Sequence, residues 1–196
     1  MNRIFGYIKK NNCRNIVRKI FSFLIYKYQK ISLKRVIKSY VFFGTTDIEL
    51  GLDVRIRGFS SNVKFEKGCV IYDNCILEFS DIGELNVGEN FVLSYGSLIC
   101  CRHSIRIGNN VQIGEYTSIR DSTHDHTDMG VPMKFNPDIV DNIVIGDNVW
   151  IGRGCVILPG TIIESDVVIG ANSVVKGLYE KNSINAGSVA KFIRNR

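Results

Sequence analysis

Residues 145–175 read IGDNVWIGRGCVILPGTIIESDVVIGANSVV, and an aliphatic residue returns in this stretch at every sixth position. Two shorter blocks keep the same spacing, VGENFVLSYGSLI over 87–99 and IGNNVQIGEYTSI over 107–119. A period of six matches neither the 3.6-residue period of a helix nor the two-residue alternation of a plain strand. It predicts short strands joined by bends, in a solenoid whose successive coils stack aliphatic side chains inward.

The position four residues after each aliphatic residue is mostly small, and we expect it to point inward as well. These residues are Cys69, Cys75, Ser97, Val111, Thr117, Val149, Cys155, Thr161, Val167 and Ser173. A fainter block puts Phe59, Phe65, Ile71 and Leu77 in step. Each large side chain buried in such a ladder stabilises the fold by about 2 kcal/mol.

A glycine directly follows the aliphatic residue in five repeats. These glycines are Gly108, Gly114, Gly146, Gly152 and Gly170. Bends take Gly, Asn or Asp because these residues accept unusual backbone angles. The pattern therefore predicts the corners of the solenoid at these positions.

Charge is distributed unevenly along the chain, whose formal net charge is +6. Residues 1–46 hold eleven lysines and arginines and no acidic residue, so the remaining chain is acidic. Apolar residues recur at helical spacing within 1–44, which predicts a basic amphipathic helix. Two uses stay open and are compatible: it caps the first coil, or residues 1–40 contact an anionic membrane peripherally. A basic segment on an acidic body does not indicate a nucleic-acid partner.

The six cysteines form no CxxC pair, which favours reduced thiols in a cytoplasmic protein. The longest apolar run, 20–26, is too short to span a bilayer, and no small-residue cleavage site follows it. We therefore expect a cytoplasmic protein, with contact at the inner membrane face as the alternative suggested by the basic segment.

The six-residue period is interrupted once in the second half of the chain. Residues 120–142 contain two prolines, no hexapeptide phase, and both His124 and His126. This predicts a loop that leaves the solenoid, and loops on rigid scaffolds often carry reactive groups. An imidazole that titrates near neutrality is suited to general acid and base catalysis.

The pattern of an aliphatic residue, glycine, two variable residues and a small residue resembles the hexapeptide-repeat acyltransferases. The chain is similar to the sugar O-acetyltransferases of maltose, galactosides and polysaccharides over about residues 59–194. The resemblance implies an all-β solenoid, a left-handed parallel β-helix over residues 45–196, with a protruding catalytic loop at 120–142. It also implies a homotrimer, acetyl-CoA as acyl donor, a sugar or glycan acceptor, and no metal.

By this resemblance His124 matches the family's catalytic histidine, the general base that removes the proton of the attacking hydroxyl. Asp121, three residues earlier, is expected to orient or polarise the ring. His126 competes for the role of base, and otherwise contacts the acceptor or faces solvent.

The resemblance also assigns residues to the acyl donor. Trp150 matches a position beside the thioester, although an indole also packs well between subunits. Backbone amides around Gly152, Gly170 and Ala171 are expected along the pantetheine arm. Basic residues at the C-terminal end match positions near the phosphates of coenzyme A, unless they are solvated surface charges; these are Lys176, Lys191 and Arg194.

At three positions of the expected site the sequence differs from the family pattern. Gly187 to Ala190 lacks the proline of the family's G-x-P-A turn before the basic pair. An asparagine that helps polarise the acyl carbonyl in galactoside-type enzymes corresponds to Ser94, which can still donate one hydrogen bond. An acidic acceptor-binding position corresponds to Arg102, which leaves room for an acidic or amino sugar.

The resemblance therefore implies an acetyl-CoA-dependent O-acetyltransferase that acts on a sugar hydroxyl in surface polysaccharide or glycan biosynthesis. The alternatives are an N-acetyltransferase of an amino sugar and a zinc enzyme of the β-helix carbonic anhydrase type. The three histidines, His103, His124 and His126, do not match the spacing of that zinc family. A non-catalytic scaffold anchored by the basic segment is a further alternative.

Overall fold

The computed structural model describes residues 47–196 together with positions 20, 22 and 24. The predicted basic helix over 1–44 lies outside the described residues except at those three positions, where Ile20 and Leu24 are exposed. Its capping and membrane-binding uses both stay predictions.

The described chain winds through six coils of three short strands each. The first three coils contain β1 (Ile48–Leu50), β2 (Arg55–Arg57), β3 (Val63–Phe65), β4 (Cys69–Ile71), β5 (Ile76–Phe79), β6 (Glu84–Val87), β7 (Val92–Leu93), β8 (Leu98–Cys101) and β9 (Ser104–Ile107). The fourth coil contains β10 (Gln112–Ile113), β11 (Ser118–Arg120), the hairpin strands β12 (Ser122–His124) and β13 (Asp138–Val140), and β14 (Ile143–Ile145). The last two coils and the terminus contain β15 (Trp150–Ile151), β16 (Val156–Ile157), β17 (Ile162–Ile163), β18 (Val168–Ile169), β19 (Val174–Val175), β20 (Leu178–Tyr179), β21 (Ser183–Gly187) and β22 (Ala190–Asn195).

Equivalent strands of successive coils pair in parallel and form three faces. The first face is the eight-stranded sheet β1-β4-β7-β10-β15-β18-β21-β22, in which only β22 is antiparallel. The second face is β2-β5-β8-β11-β16-β19, and the third is β3-β6-β9-β14-β17-β20. We call the boundary between the first and second faces the glycine edge, and that between the second and third faces the loop edge. The expected parallel β-solenoid is confirmed.

The six-residue period corresponds to one face per hexapeptide. Val156 pairs with Val174, 18 residues further on, which is three hexapeptides per coil. In the N-terminal half the coils are longer, since Ile76 pairs with Leu98, 22 residues away. The extra residues explain why the repeat is faint there. They also correct one expectation, because Phe59 is 54% exposed while the other members of its block are buried.

The core is the column of aliphatic side chains inside the three faces. Residues such as Ile99, Ile119 and Ile157 are completely buried, each above its equivalent in the next coil. All ten small positions predicted to point inward are also buried. Their size is set by the limited space at the corners, where a hydroxyl such as that of Thr117 bonds to the Gly152 carbonyl.

The corner positions require glycine because the next coil passes very close to them, and not because their backbone angles are unusual. None of the five has a positive φ; the left-handed angle falls two residues later, as at Asn110 (φ 57°) and Asn172 (φ 56°). A Cβ on Gly152 would lie 2.6 Å from the Ala171 nitrogen of the next coil. The expected reason for these glycines was therefore wrong, although their place at the corners is confirmed. Within the described part of the chain, no helix has the length and apolar character needed to cross a membrane.

Candidate active site

The solenoid is interrupted at the loop edge of the fourth coil. After β11 the chain forms an antiparallel hairpin of β12 and β13, with a 3-10 turn at Met133–Phe135, and rejoins the third face at β14. Arg120 still pairs with Cys100 of the coil below, so the departure begins at residue 121. The expected protruding loop is confirmed, with a regular hairpin at its base.

His124 ends the first strand of this hairpin and lies opposite Asp138. Its Nδ1 is 3.0 Å from Asp138 Oδ1, and the histidine side chain is 77% exposed. A carboxylate that accepts the Nδ1 proton leaves the Nε2 lone pair directed away from it. This arrangement suits a base that takes a proton at Nε2 while the carboxylate stabilises the resulting imidazolium.

Asp121, which was expected to orient the His124 ring, is bonded elsewhere. Its carboxylate is fully buried and accepts hydrogen bonds from the backbone amides of Arg102 (2.7 Å) and His103 (2.8 Å). Its own carbonyl accepts the amide of Asp141 at the other end of the loop. Asp121 therefore ties the root of the hairpin to the preceding coil, and the carboxylate at the ring is Asp138, which the sequence did not single out.

Neither of the other two histidines contacts the side chains of this pair. His126 is exposed, with Nδ1 3.4 Å from the carbonyl oxygen of His124. His103 lies at the corner between β8 and β9, with Nδ1 2.8 Å from Asn142 Oδ1. Across the residues that the structure describes, no group of three or more His, Cys, Asp or Glu is placed to hold a metal ion.

Asp125 orders the chain next to His124. It accepts hydrogen bonds from the backbone amide and the hydroxyl of Thr127, and these lower the pKa of the Asp125 carboxyl. The Asn136 side chain also donates to the Asp125 carbonyl. The hairpin is therefore stabilised by side-chain hydrogen bonds in addition to the pairing of its two strands.

The glycine edge brings together several residues expected at the acyl donor. Ser94, Gly152 and Gly170 occupy equivalent positions in coils three, five and six, directly after the first-face strands. Ala171 lies over Gly152. However, the amides of Gly152 and Gly170 donate to carbonyls of the following coil, so these two donors are already used. What the glycines provide is a flat edge that a ligand can approach closely.

Trp150 lies on the first face, two residues before Gly152. It pairs with Gln112 and Val168, and 56% of the residue is exposed. The indole and the glycine edge are thus neighbours, whereas the His124 hairpin leaves from the opposite boundary of the second face. Within one chain the glycines and the indole expected at the donor therefore lie on a different edge from the expected base.

The three basic residues expected near the phosphates all lie at the C-terminal end. Lys176 follows β19 at the loop edge and lines a cavity of about 290 Å³ with Lys181 and Tyr179. Lys191 and Arg194 lie on β22, opposite Ala186 and Ile184.

Arg102 lies at the loop edge beside the hairpin root. Its Nη2 is 2.9 Å from Glu78 Oε1, and its buried Nε has no hydrogen-bond partner within the described chain. Ser94, which was also expected to bind substrate, lies on the glycine edge. Its carbonyl accepts from the Cys75 thiol and the Ser97 amide, and the residue is half-buried. Arg102 and Ser94 are therefore on different edges of one chain.

The described cysteines are unsuited to nucleophilic chemistry. All five are buried, and burial raises the pKa of every thiol, that of Cys101 to about 12. The thiolate is the nucleophilic form, so these residues are inert at neutral pH. Cys69, Cys75 and Cys155 fill the small inward positions predicted for them.

Comparison with known proteins places these features in a wider group. The model of the bacterial transferase hexapeptide family (six repeats) matches residues 142–177. A putative lipopolysaccharide biosynthesis O-acetyl transferase of Escherichia coli strain K12 is 33% identical over 159 residues, 64% of this chain and 81% of that protein. The dTDP-4-amino-4,6-dideoxy-D-glucose acyltransferase of Escherichia coli is 32% identical over 156 residues, 79% of this chain and 75% of that protein. A solved galactoside acetyltransferase in complex with coenzyme A superposes with a TM-score of 0.55 at 25% identity, over 83% of this chain and 68% of that one.

Proposed function

The chain belongs to the hexapeptide-repeat acyltransferases, and from that premise we propose that it transfers an acetyl group from acetyl-CoA to a sugar hydroxyl, with His124 as general base. The observation that carries the proposal is the His124–Asp138 pair at 3.0 Å, on a hairpin that projects from the solenoid. The solved relative with bound coenzyme A supports the acyl donor. The lipopolysaccharide relative supports a sugar acceptor in surface polysaccharide synthesis.

In the proposed reaction Nε2 of His124 takes the proton of the acceptor hydroxyl as its oxygen attacks the thioester carbonyl. The carbon–sulfur bond then breaks, and the imidazolium gives its proton to the departing thiolate. Asp138 holds the ring orientation and stabilises the positive charge between these two transfers. General base catalysis of this kind contributes about 10²- to 10⁴-fold.

Direct transfer fits the chain better than a covalent acyl-enzyme. The described thiols are buried and have raised pKa values, so none of them supplies a thiolate at neutral pH. The hydroxyls nearest the coil corners, such as Thr117 and Ser173, donate to backbone carbonyls inside the solenoid.

The site is completed by a second copy of the chain in a homotrimer. The hairpin exposes apolar side chains that a monomer would leave in water: Met129, Val131, Met133, Phe135, Ile139 and Val140. The third face carries a further exposed apolar column of Val144, Ile162 and Leu178, in register on successive strands. Such contiguous apolar surface is typical of an interface. We infer that the hairpin of one copy meets the glycine edge of the next, which would bring His124 to Trp150 and Ser94.

Lys176, Lys191 and Arg194 are proposed to bind the phosphates of the donor. All three lie in the last coil or in the strand that follows it, and cationic side chains form strong hydrogen bonds with phosphate groups. Gly152, Gly170 and Ala171 form the flat path between the C-terminal end of the solenoid and Ser94.

Transfer to an amine is the second candidate, because one relative is an acyltransferase of an amino sugar nucleotide. A zinc enzyme has less support, since the spacing of His103, His124 and His126 does not match that of the zinc family. Membrane contact through residues 1–40 and location at the inner membrane face stay predictions from the sequence.

Release of free thiol from acetyl-CoA tests the proposal, with free, nucleotide-linked and lipid-linked sugars as acceptors. We expect turnover with at least one neutral hydroxyl acceptor, and mass spectrometry should find an alkali-labile ester on the product. An alkali-stable amide on an amino sugar would select the second candidate. Thiol release with no member of the panel would contradict both.

A further inference from the structure

Three exposed tyrosines form a row on the glycine edge of coils two, three and four. The Tyr72 and Tyr95 rings stack with centroids 4.7 Å apart and planes at 30°. The Tyr116 ring lies over Gly96, where an added Cβ would be 2.7 Å from Cε1. The exposed fractions are 37%, 49% and 66% in chain order. We call Tyr72, Tyr95 and Tyr116 the tyrosine strip.

Tyr116 is an unusual residue for the corner that it occupies. Tyr116 adopts a left-handed backbone angle (φ 59°), at a corner position that Asn74, Gly96, Gly154 and Asn172 fill in other coils. A bulky residue there costs of order 1 kcal/mol, and such strain persists mainly where function requires the side chain. The aromatic ring at this corner therefore points to a binding role.

A cavity of about 270 Å³ lies against the strip. Its walls include both stacked rings, Glu49, Gly51 and Asp73. The Asp73 carboxylate accepts the Leu52 amide at 2.6 Å, which fixes its position. The wall residues given by the structure include two carboxylates and no cation, so the cavity disfavours an acidic ligand and offers acceptors to hydroxyl groups.

Flat aromatic faces combined with fixed hydrogen-bond acceptors suit the apolar ring faces and the hydroxyls of a neutral sugar. Neighbouring coils are about 4.8 Å apart, so three tyrosines span about 10 Å. That length accommodates more than one pyranose ring. The strip is also continuous with Ser94, which precedes Tyr95, and with the glycine path of the later coils on the same edge.

We propose that the tyrosine strip binds a neutral glycan chain, so that the acceptor is an oligosaccharide or polymer rather than a single sugar. The inference rests on the proposed function, since it places the glycan beside Ser94, a residue of the proposed site of transfer. The glycan would run along the glycine edge and place the sugar unit that is to be acetylated next to Ser94, where the row of glycines begins.

The test is direct binding without acetyl-CoA, so that it does not depend on catalysis. Maltohexaose, cellopentaose and penta-N-acetylchitopentaose, all uncharged, are titrated into the full chain by calorimetry, with their monosaccharides as references. We expect at least one oligosaccharide to bind ten times more tightly than its monosaccharide. Tyr72→Ala and Tyr95→Ala should each weaken that binding at least tenfold, and Tyr95→Trp should retain it. Phe59→Ala, which removes an exposed aromatic ring away from this edge, is the matched control and should bind normally.

The proposal is overturned if no oligosaccharide binds more tightly than its monosaccharide, or if either alanine variant binds as the parent does. It is also overturned if Tyr72→Ala or Tyr95→Ala lowers the native mass, because the strip would then be a subunit contact. Tyr95→Leu keeps bulk without a ring and replaces Tyr95→Ala if the latter unfolds. Thiol release with a monosaccharide acceptor, combined with no oligosaccharide binding, would reject the strip and leave the proposed function standing.

Discussion

Replacing Asp121 by alanine should loosen the root of the hairpin that carries His124. The carboxylate is fully buried and accepts the amides of Arg102 and His103 at 2.7 and 2.8 Å. A hydrogen bond to a charged group contributes about 1.5–3 kcal/mol, and the alanine variant also leaves two buried amides unpaired. We therefore expect the free energy of unfolding to fall by about 3–5 kcal/mol.

The assay is urea unfolding at one fixed protein concentration, because the midpoint of an oligomer depends on concentration. Hydrogen exchange provides a local reading, in which the amides of Arg102 and His103 should lose protection before those of the solenoid core. Asp121→Asn should be intermediate, since it keeps one acceptor but directs an NH₂ group at an amide donor. Asp128→Ala, at an exposed loop position, is the matched control and should leave the midpoint unchanged. A midpoint for Asp121→Ala equal to that of the parent would refute the anchoring role.

Three further outcomes follow from the core, the thiols and the catalytic pair. Ile157→Ala should lower the free energy of unfolding by about 2–5 kcal/mol in thermal or urea unfolding, whereas Val156→Ala on the outer surface should cost far less; equal effects would contradict the inward ladder. In a Cys13→Ser variant at pH 8, DTNB should react only slowly with the native protein. After denaturation it should label all five remaining thiols. The reason is that burial raises the pKa of each thiol, Cys101 to about 12, and thiolate forms only as the pH rises through that value; rapid native labelling would contradict it. Asp138→Asn should lower turnover about 5- to 100-fold with the midpoint of unfolding preserved, and unchanged turnover would remove Asp138 from the mechanism.

The regular half of the fold was predictable because one hexapeptide forms one face. Ile145, Ile151 and Ile157 fall on successive faces, and the 18-residue coil follows from three such steps. The same rule failed at Phe59, since the longer N-terminal coils shift the phase and expose that ring. Extra residues in a coil do not change the amino-acid composition noticeably. A search for a fixed six-residue period therefore does not detect them.

The corner glycines show how a correct position was predicted for an incorrect reason. Gly152 precedes the left-handed corner by two residues and is required because the next coil passes within 2.6 Å of its missing Cβ. Sequence alone does not distinguish a residue that needs a rare backbone angle from one that needs space.

The candidate site was predictable where a single break in the period marks it, and less so inside the break. The role of His124 could be predicted from the interruption of the six-residue period and from the family resemblance. Asp138 does not, because its partnership depends on an antiparallel register across 13 intervening residues that have no periodicity. Asp121 is closer to His124 in sequence, yet its side chain faces the preceding coil.

The central claim, that the hairpin imidazole is the base for transfer, is tested most directly by the turnover of His124→Ala. The measurement is the initial rate of thiol release at saturating acetyl-CoA and acceptor, alongside the native mass and the midpoint of unfolding. His126→Ala is the matched control on the same hairpin. We predict that His124→Ala loses at least about 100-fold in turnover with mass and midpoint unchanged, while His126→Ala stays within about threefold of the parent. Turnover of His124→Ala near that of the parent would contradict the account.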